Sequence, residues 1–350
     1  MKITQQRVAR KAGVSQTTVS LALRSHPSIP RPTQAAVFRA CRELGYARAR
    51  PAGGSARTGC IAYVVTGGGA AWFDSDPYYH RLVAGVAQGA KALGHDVMLV
   101  SLDPGERFPA APRRRKVDGL LVSKKVDRDW VEEAQTLFPV VLLNHALDDS
   151  PVDAVVSDAR DAMRQALAHL AGFGHRRIAL FGMTPLGRQG DELVAGYFEG
   201  LKTHGLPGRA DRVKIYDRVA GGLEEVETCV RRALGELMAK GKPPTAVVTT
   251  GDVYALCLVR VAAELGFPVP QGLSVVGCDD VVACQNCVPP LTSLREPLEE
   301  MGQVAVQLLV ERIRQHERTP RRVTLPMKLI VRKTTGATPC LTKPRVMRMN

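Results

Sequence analysis

Polar side chains crowd the outer edge of one short segment near the start of the chain. Ser15 precedes the run 16–23, in which Val19 and Leu23 fall on one side of a helix at i and i+4. A serine in this position accepts a hydrogen bond from the first free backbone amides, so the spacing predicts a helix that begins after Ser15. Its outer face carries Gln16, Thr17 and Ser20. Amides and hydroxyls grouped in this way can hydrogen-bond the polar edges of DNA bases.

Two further helices are predicted to hold that segment in place. The first begins at Thr4, whose hydroxyl is expected to cap it, carries Val8 and Ala9 on its inner side, and stops at Gly13. The third covers about 33–44. Its apolar stripe consists of Ala36, Val37, Ala40 and Leu44. Three short helices around one small apolar core predict a helix-turn-helix unit, which can place its second helix in the major groove of DNA.

The positive charge of the chain is concentrated around these helices. The 350 residues carry a net charge of +14 at pH 7, and residues 1–59 hold eleven Lys and Arg against the single acid Glu43. The segment 332–350 contributes +5, and the part between is near neutral. Clustered cations release counterions when they bind phosphates, so a basic head on a neutral body indicates a polyanionic partner. Composition alone leaves open the alternative that the head is only a solvated basic surface.

Several classes of protein are not indicated by the sequence. It has no apolar run of 18 or more residues and no secretion signal, which predicts a cytoplasmic protein with no membrane partner. It has no GxGxxG after a first strand, no GxxxxGK(S/T), no HExxH and no GxSxG, so neither an enzyme nor a cofactor is expected. Cys284-x-x-Cys287, with Cys278 upstream, lacks a second pair or a nearby histidine, which favours free thiols over a metal site.

From Cys60 onward, short apolar runs alternate with helical stretches. Runs such as 61–65, 97–101 and 140–143 are predicted strands of a parallel sheet with helices on its faces, and a second set follows from 159 to 277. Two such halves imply a cleft between them, with ligand-binding residues at the carboxyl ends of the strands. The expected fold class is an all-α helix-turn-helix head plus an α/β body of two parallel-sheet, Rossmann-like subdomains.

The head resembles that of the lactose and galactose repressor family, LacI/GalR. The resemblance lies in the run Val8-Ala9-Arg10-Lys11-Ala12-Gly13-Val14-Ser15-Gln16-Thr17-Thr18-Val19-Ser20 and in Glu43-Leu44-Gly45-Tyr46. It implies base contacts by Gln16, Thr17 and the residue at position 21. It also implies phosphate or backbone contacts by Thr4, Ser15, Thr18, Ser20, Arg24, His26 and Tyr46. Position 21 is commonly arginine in the family, whereas Leu21 could only contact a thymine methyl group or pack in the core.

The linker 47–59 departs from the family pattern. The family's hinge becomes a helix on DNA and inserts a leucine into the minor groove, but Pro51 and Gly53-Gly54 disfavour a helix and this linker has no leucine. We expect a flexible tether whose arginines follow phosphates or enter a narrow minor groove. These arginines are Arg48, Arg50 and Arg57. A passive linker is the alternative.

The body is similar to the same family and to periplasmic sugar-binding proteins. The motifs in family order are Asp76-Pro77-Tyr78-Tyr79, 117–122, 174–179, 274–280 and 289–295. The family fold passes the chain three times between its subdomains. It implies a head at 1–46, an N-subdomain of about 60–158 plus 286–322, a C-subdomain of about 159–285 plus 323–338, and a basic, disordered tail at 339–350.

The resemblance places the effector site at the strand ends of the body. The candidates are Tyr78, Tyr79, Ser101, Asn144, Leu193, Gly251, Asp252 and Asp279. Tyr78 could stack on a ring face. Leu193 stands where the family usually has an arginine and Gly251 where it has an asparagine, so the usual sugar is not expected, because two hydrogen-bonding groups are missing. Asp279 is kept, and its alternative role is that of a turn carboxylate that caps backbone amides.

The resemblance as a whole implies a DNA-binding transcriptional regulator, in the first instance a repressor. It would bind double-stranded, near-palindromic operator DNA as a homodimer, and a small-molecule effector in the cleft would change the spacing of the two heads. Activation is equally open. The alternative from a different class is a small-molecule-binding or redox- or metal-sensing protein whose head no longer recognises specific DNA.

Overall fold

The structure is a computed structural model, and it describes most of the chain. The described residues are 4–23, 26, 28–44, 46, 58–66, 77–102, 117–123, 126, 128–147, 151–184, 187–217, 222–239, 241–315 and 318–338. The expectations for Arg24, Arg48, Arg50, most of the linker, the side chain of Tyr78 and the tail 339–350 lie outside these residues.

Three helices form the head, as the apolar spacing predicts. They are α1 (Gln5–Ala12), α2 (Gln16–Ala22) and α3 (Arg31–Leu44). Gly13 ends α1 with a φ of 67°, a left-handed conformation that glycine adopts without strain. The core of the head consists of Val8, Ala9, Val19, Ala22, Leu23, Val37, Phe38, Ala40 and Cys41. The prediction for Thr4 is wrong in one respect, because Thr4 holds the N-cap position of α1 but its hydroxyl makes no capping hydrogen bond.

The body contains two six-stranded sheets. The strands of the first are β1 (Cys60–Thr66), β2 (Asp96–Leu102), β3 (Leu120–Ser123), β4 (Val140–Leu143), β5 (Asp153–Ser157) and β11 (Arg322–Leu325), in the order β11-β5-β4-β3-β1-β2. The pairs from β5 through β2 are parallel. The second has β6 (Ile178–Thr184), β7 (Val213–Asp217), β8 (Ala246–Thr249), β9 (Ser274–Asp279), β10 (Thr292–Arg295) and β12 (Lys328–Ile330), in the order β12-β10-β9-β8-β6-β7. Only β12 is antiparallel to its neighbour among the pairs described in this second sheet.

Helices alternate with the strands along the body. They are α4 (Pro77–Ala92), α5 (Arg128–Gln135), α6 (Ala159–Gly172), α7 (Gly187–Thr203), α8 (Gly222–Met238), α9 (Asp252–Glu264), α10 (Ala283–Asn286) and α11 (Leu298–Arg314). The alternation confirms the predicted α/β class with parallel sheets. No helix among the described residues is both long and apolar enough to cross a membrane.

The second sheet takes in more of the chain than the sequence predicts. The expected N-subdomain includes 286–322, but β10 pairs in parallel with β9 and antiparallel with β12, both in the second sheet. The compact units accordingly place 156–301 together and 302–322 with the first sheet. The prediction fails here because β10 has only four residues and too short an apolar run to identify as a strand.

Buried polar residues fix each unit internally. In the first, Asp153 at the start of β5 is 1% exposed and accepts hydrogen bonds from Arg312 Nε at 2.7 Å, Arg318 Nη1 at 2.8 Å and the Arg321 amide at 2.8 Å. Removing this carboxylate would leave two arginines buried without their counter-charge.

In the second unit, a fully buried histidine joins residues at or just before the starts of strands to a residue that follows the last strand. His175 Nδ1 lies 2.9 Å from Thr245 Oγ1, and its Nε2 lies 3.0 Å from both Ser274 Oγ and the carbonyl oxygen of Gly336. Burial lowers the pKa of His175, which favours a neutral ring that serves the fold.

Candidate nucleic-acid interface and strand-end sites

The outer face of α2 is fixed by a cap at its first turn. Ser15 Oγ accepts a hydrogen bond from the Thr18 amide at 3.0 Å and lies 2.8 Å from Thr18 Oγ1. Gln16 and Thr17, the predicted base-contacting residues, are exposed on this first turn. A rigid helix start therefore presents two polar side chains to solvent, as the sequence predicts.

Leu21 lies on the same helix and is partly exposed. It does not belong to the core of the head, nor to the partly buried side chains that pack against that core, which are Ala12, Val14, Ile29, Leu44 and Tyr46. Of its two predicted roles, packing in the core is therefore not supported. Ser20 is also partly exposed.

The turn between α2 and α3 is held by a buried glutamine. Gln34 Nε2 donates to the carbonyl oxygens of Ile29 at 3.1 Å and His26 at 3.4 Å. His26 is exposed, and its Nδ1 lies 2.7 Å from Ser28 Oγ. At the end of α3, the Tyr46 amide donates to the Cys41 carbonyl oxygen at 2.7 Å, which fixes the chain direction after the head.

The described part of the head has an exposed basic surface. Arg7, Arg10 and Arg39 are exposed, while Lys11 Nζ lies 2.9 Å from Glu43 Oε2. Both partners of this ion pair are about half exposed, so the pair is weak and does not cancel the positive field around the head.

In the first unit, two predicted effector residues lie at strand ends. Ser101 is exposed near the end of β2. Asn144 follows β4 with a φ of 53°, and its amide donates to the Val155 carbonyl oxygen at 2.8 Å. Ser123, which ends β3, is buried and accepts a hydrogen bond from Tyr63 Oη at 3.0 Å, so it is part of the core.

In the second unit, two adjacent aspartates at the end of β9 have different roles. Asp279 and Asp280 have φ values of 111° and 55°, so the chain turns sharply here. Asp280 is 5% exposed, with one oxygen 2.6 Å from Arg295 Nε and the other 2.6 Å from Arg332 Nη1. Asp279 is partly exposed, which makes it the better placed of the two to meet a ligand.

Asp252, another predicted effector residue, is completely buried. It accepts hydrogen bonds from Ser293 Oγ at 2.6 Å, the Val281 amide at 2.9 Å and Cys284 Sγ at 3.0 Å. A methyl group at Gly277 would collide with its Oδ1, so that close approach requires glycine. The carboxylate joins α9 to β10 and to the turn after β9, which corrects the expectation of a ligand contact.

Three other effector predictions disagree with the structure. Leu193 is 2% exposed and packs in a core with Met163 and Leu167, because an apolar side chain at that point of α7 fits the face that meets α6. Tyr79 is 4% exposed, so its ring is not open to a ligand. Gly251 is buried against the ring of Tyr254 and has no side chain to offer.

Some polar residues at strand ends were missed by the sequence interpretation. Gln189 Nε2 donates to Glu296 Oε2 at 3.0 Å and lies 3.4 Å from Ser157 Oγ. Ser157 ends β5, and Glu296 follows β10, two strands that the apolar pattern did not reveal. The signal that could have found them is a polar residue directly after a short β-branched run. Nearby in sequence, Glu299 forms a bidentate pair with Arg81, with distances of 2.7 and 2.8 Å.

The cysteines of the Cys-x-x-Cys segment are engaged in the fold. Cys284 Sγ donates to Asp252, and Cys287 Sγ lies 3.2 Å from the Pro289 carbonyl oxygen. Burial raises the pKa of both thiols, which keeps them protonated and disfavours metal binding or nucleophilic chemistry. The described residues contain no cluster of histidine, cysteine and carboxylate residues suited to a metal ion.

Two family models match the chain. Residues 4–49 match the family described as bacterial regulatory proteins, lacI family, and residues 167–335 match a periplasmic binding protein-like domain. The HTH-type transcriptional repressor PurR of Yersinia pestis (strain Pestoides F) is 27% identical over 340 residues, which cover 95% of this chain and 96% of that protein.

Solved structures with the same architecture cover the chain to different extents. A transcriptional regulator CelR-cellobiose complex has a TM-score of 0.71 at 29% identity and covers 95% of this chain and 99% of its own. A LacI family transcriptional regulator from Mycobacterium smegmatis has a TM-score of 0.66 at 26% identity, over 80% of this chain and 99% of its own.

Proposed function

The chain belongs to the LacI family of DNA-binding transcriptional regulators, and from that premise we propose that it is a repressor that binds a near-palindromic operator as a homodimer. A small molecule bound to the body changes the affinity of this protein for its operator. The proposed function involves no catalysis and no metal.

The observation that carries this proposal is the first turn of α2. The Ser15 cap fixes the helix start, and Gln16 and Thr17 are exposed on it. An amide side chain can make two hydrogen bonds to adenine in the major groove, and a threonine hydroxyl can donate or accept. We assign base recognition to these two residues and phosphate contacts to Thr4, Ser15, Thr18, Ser20, His26 and Tyr46, with Arg24, Arg48 and Arg50 from the sequence pattern.

Leu21 is proposed to shape the operator. Its partly exposed side chain lies outside the head's core, so it can reach a thymine methyl group but cannot form the paired hydrogen bonds by which arginine recognises guanine. The operator should therefore contain an A·T pair at the position that contacts residue 21.

Homodimer formation is supported by apolar side chains on the surface of the body. Leu99 on the edge strand β2 is 49% exposed, Val253 on α9 is 42% exposed, and Val282 before α10 is 64% exposed. Exposed apolar groups of this size favour association with a second copy. Two heads carried by one dimer would contact successive major grooves of a two-fold symmetric site.

The effector is proposed to bind at the carboxyl ends of the body's strands. The described polar residues that are at least partly exposed there include Ser101, Asn144 and Asp279. Leu193 lies in the core where the family usually has an arginine, so this chain lacks the charged donor that commonly holds a sugar hydroxyl or acid group. Cellobiose is the ligand named for the CelR complex, and we expect this chain to prefer a different molecule.

Selection of bound sequences from random DNA by the purified full-length protein tests the DNA function. The expected product is a near-palindrome with an A·T pair at the position facing Leu21, and Leu21→Arg should shift that position toward G·C. Equal binding of all duplexes in moderate salt would contradict the proposal.

A thermal-shift screen of sugars, nucleosides and amino acids tests the effector function. A compound that raises the melting temperature should also change operator affinity, by about 1–3 kcal/mol. Asp279→Asn should reduce the thermal shift. A compound that stabilises the protein without changing operator binding would contradict the proposed coupling.

A further inference from the structure

A polar cavity lies at the amino-terminal ends of β7 and β8, away from the strand ends assigned to the effector. Its volume is about 340 Å³. The residues that line it are Arg209, Asp211, Arg212, Leu237, Gly241, Lys242 and Pro244. Arg212 directly precedes β7, and Pro244 lies just before β8. All of these residues belong to the second compact unit, so the cavity forms within a single packed body.

The feature that distinguishes this cavity is the guanidinium group of Arg212. Arg212 is only 7% exposed, and its Nη1 is buried with no hydrogen-bond partner among the described residues. A buried guanidinium nitrogen without an acceptor is costly, because the cation has lost its water and gained no counter-charge. Burial lowers the pKa of Arg212, and the nearby Arg209 and Arg177 act in the same direction.

The charges around the cavity leave a positive excess. Asp211 is bound by Arg209, with Nε to Oδ1 at 3.1 Å and Nη2 to Oδ2 at 3.0 Å. Lys242 is at the cavity rim. The three cations and one carboxylate of the lining give a net charge of +2. A phosphate monoester carries a charge of about −1.5 to −2 near neutral pH and has several strong acceptor oxygens, which matches both the charge and the missing acceptor.

We propose that this cavity binds a small phosphate-bearing molecule, held by Arg212 in the interior and by Arg209 and Lys242 at the rim. Its volume falls within the range of small-ligand pockets, so an organic phosphate fits as well as inorganic phosphate. Because α8 ends at Met238, the same cations also face the carbonyl end of that helix, and service to the helix end is the competing explanation.

Calorimetric titration of the full-length protein with inorganic phosphate, against chloride at equal ionic strength, tests the site. Because the basic head also attracts phosphate, the decisive quantity is the difference between variants. Lys242→Gln should weaken phosphate binding about fivefold, and Arg212→Lys should weaken it by a similar factor through loss of the planar fork. Lys328→Gln, which removes an exposed lysine on β12 outside the cavity, is the matched control and should bind as the wild type does.

Equal affinity in Lys242→Gln and Lys328→Gln, or no phosphate binding at all, would overturn the proposal in favour of the helix-end role. Arg212→Met provides a check that does not depend on affinity. Because it removes an unpaired buried charge, it should melt at a higher temperature than the wild type in chloride and lose the gain that the wild type shows in phosphate. A gain in phosphate that persists in Arg212→Met would contradict the site.

A final comparison distinguishes the two sources of phosphate. Glycerol 3-phosphate that binds tenfold more tightly than inorganic phosphate, with no binding of glycerol, would identify an organic phosphate as the occupant. Equal affinity would identify inorganic phosphate. In both cases Lys242→Gln must weaken binding, and a failure to do so counts against the cavity.

Discussion

The outer face of α2 and the carboxyl edge of the second sheet use their polar side chains in opposite ways. On α2 the contacts are local, since Ser15 bonds Thr18 within one turn while Gln16 and Thr17 face solvent. At the sheet edge, Asp252 and Asp280 are buried and hold partners from distant parts of the chain. Polar residues on a short surface helix thus stay available to a partner, whereas polar residues at the ends of buried strands are easily recruited to hold the fold together.

This difference explains why the head is similar to its family while the effector site departs from it. A helix in the major groove needs exposed side chains at fixed positions, and nothing in the small apolar core competes for them. The strand ends are surrounded by other elements, so each change of residue alters which groups pair. Leu193, for example, is absorbed into the core instead of facing a ligand.

The strongest test of the buried polar contacts in the body is Asp153→Ala. It leaves Arg312 and Arg318 buried without their carboxylate, so unfolding free energy should fall by about 3–5 kcal/mol. Urea unfolding followed by the fluorescence of Trp130 measures this. Glu311→Ala, which breaks only the exposed pair with Arg321, is the control and should cost less than about 1 kcal/mol. Similar losses in both variants would erase the contrast between buried and exposed pairs.

The corresponding test of the head is Gln16→Ala. Loss of a side chain that contacts a base should weaken binding of the selected operator by about 1–3 kcal/mol with little change in stability. Fluorescence anisotropy with labelled operator DNA gives the affinity. Gln6→Ala, which removes an exposed side chain of the same type from α1, is the matched control and should leave affinity unchanged. Unchanged operator affinity in Gln16→Ala would show that α2 does not read bases.

A pH series tests whether Asp252 serves the fold. Burial raises the pKa of Asp252 to about 6, although hydrogen bonds from Cys284, Ser293 and Val281 act against the rise. Because the folded pKa lies above the unfolded one, the stabilisation is fully present below about pH 4 and is lost as the pH rises through about 6.

The wild type should therefore lose stability relative to Asp252→Asn by up to about 1.4 kcal/mol per pH unit between about pH 4 and 6. Urea unfolding followed by circular dichroism measures the profile. Ser293→Ala, which removes one donor to the carboxylate, should extend the loss to higher pH. Parallel profiles for the wild type and Asp252→Asn would show that the carboxylate is not in this environment.

The smallest expected effect concerns the cap of α2. Ser15→Ala removes the acceptor for the Thr18 amide and should reduce the local stability of α2 by about 0.5–1 kcal/mol. Amide hydrogen exchange of the peptide 15–23 should then become about two- to fivefold faster. Ser20→Ala, which improves helix propensity without touching the cap, should not accelerate exchange. If exchange is the same in both variants, the recognition helix does not depend on its cap.

Local spacing predicted the head well because its information is local. The i and i+4 placement of Val19 and Leu23, the glycine at 13 and the serine at 15 each act within a few residues. The alternation of strands and helices from Cys60 onward is equally local, and the parallel class follows from it. The short strands β5, β10 and β12 escaped prediction because three to five residues carry too little apolar pattern.

By itself, the sequence determined the three-helix head, its exposed polar turn, its positive charge and the α/β class of the body. Only the tertiary structure decided which strand-end groups stay exposed, because Asp252 meets donors 29 to 41 residues away and Asp280 meets an arginine beyond β12. The same holds for Arg212, whose burial depends on helices and loops that no local pattern connects. Hydrogen bonds and desolvation act through space, so the availability of a polar group is set by neighbours that the sequence order does not reveal.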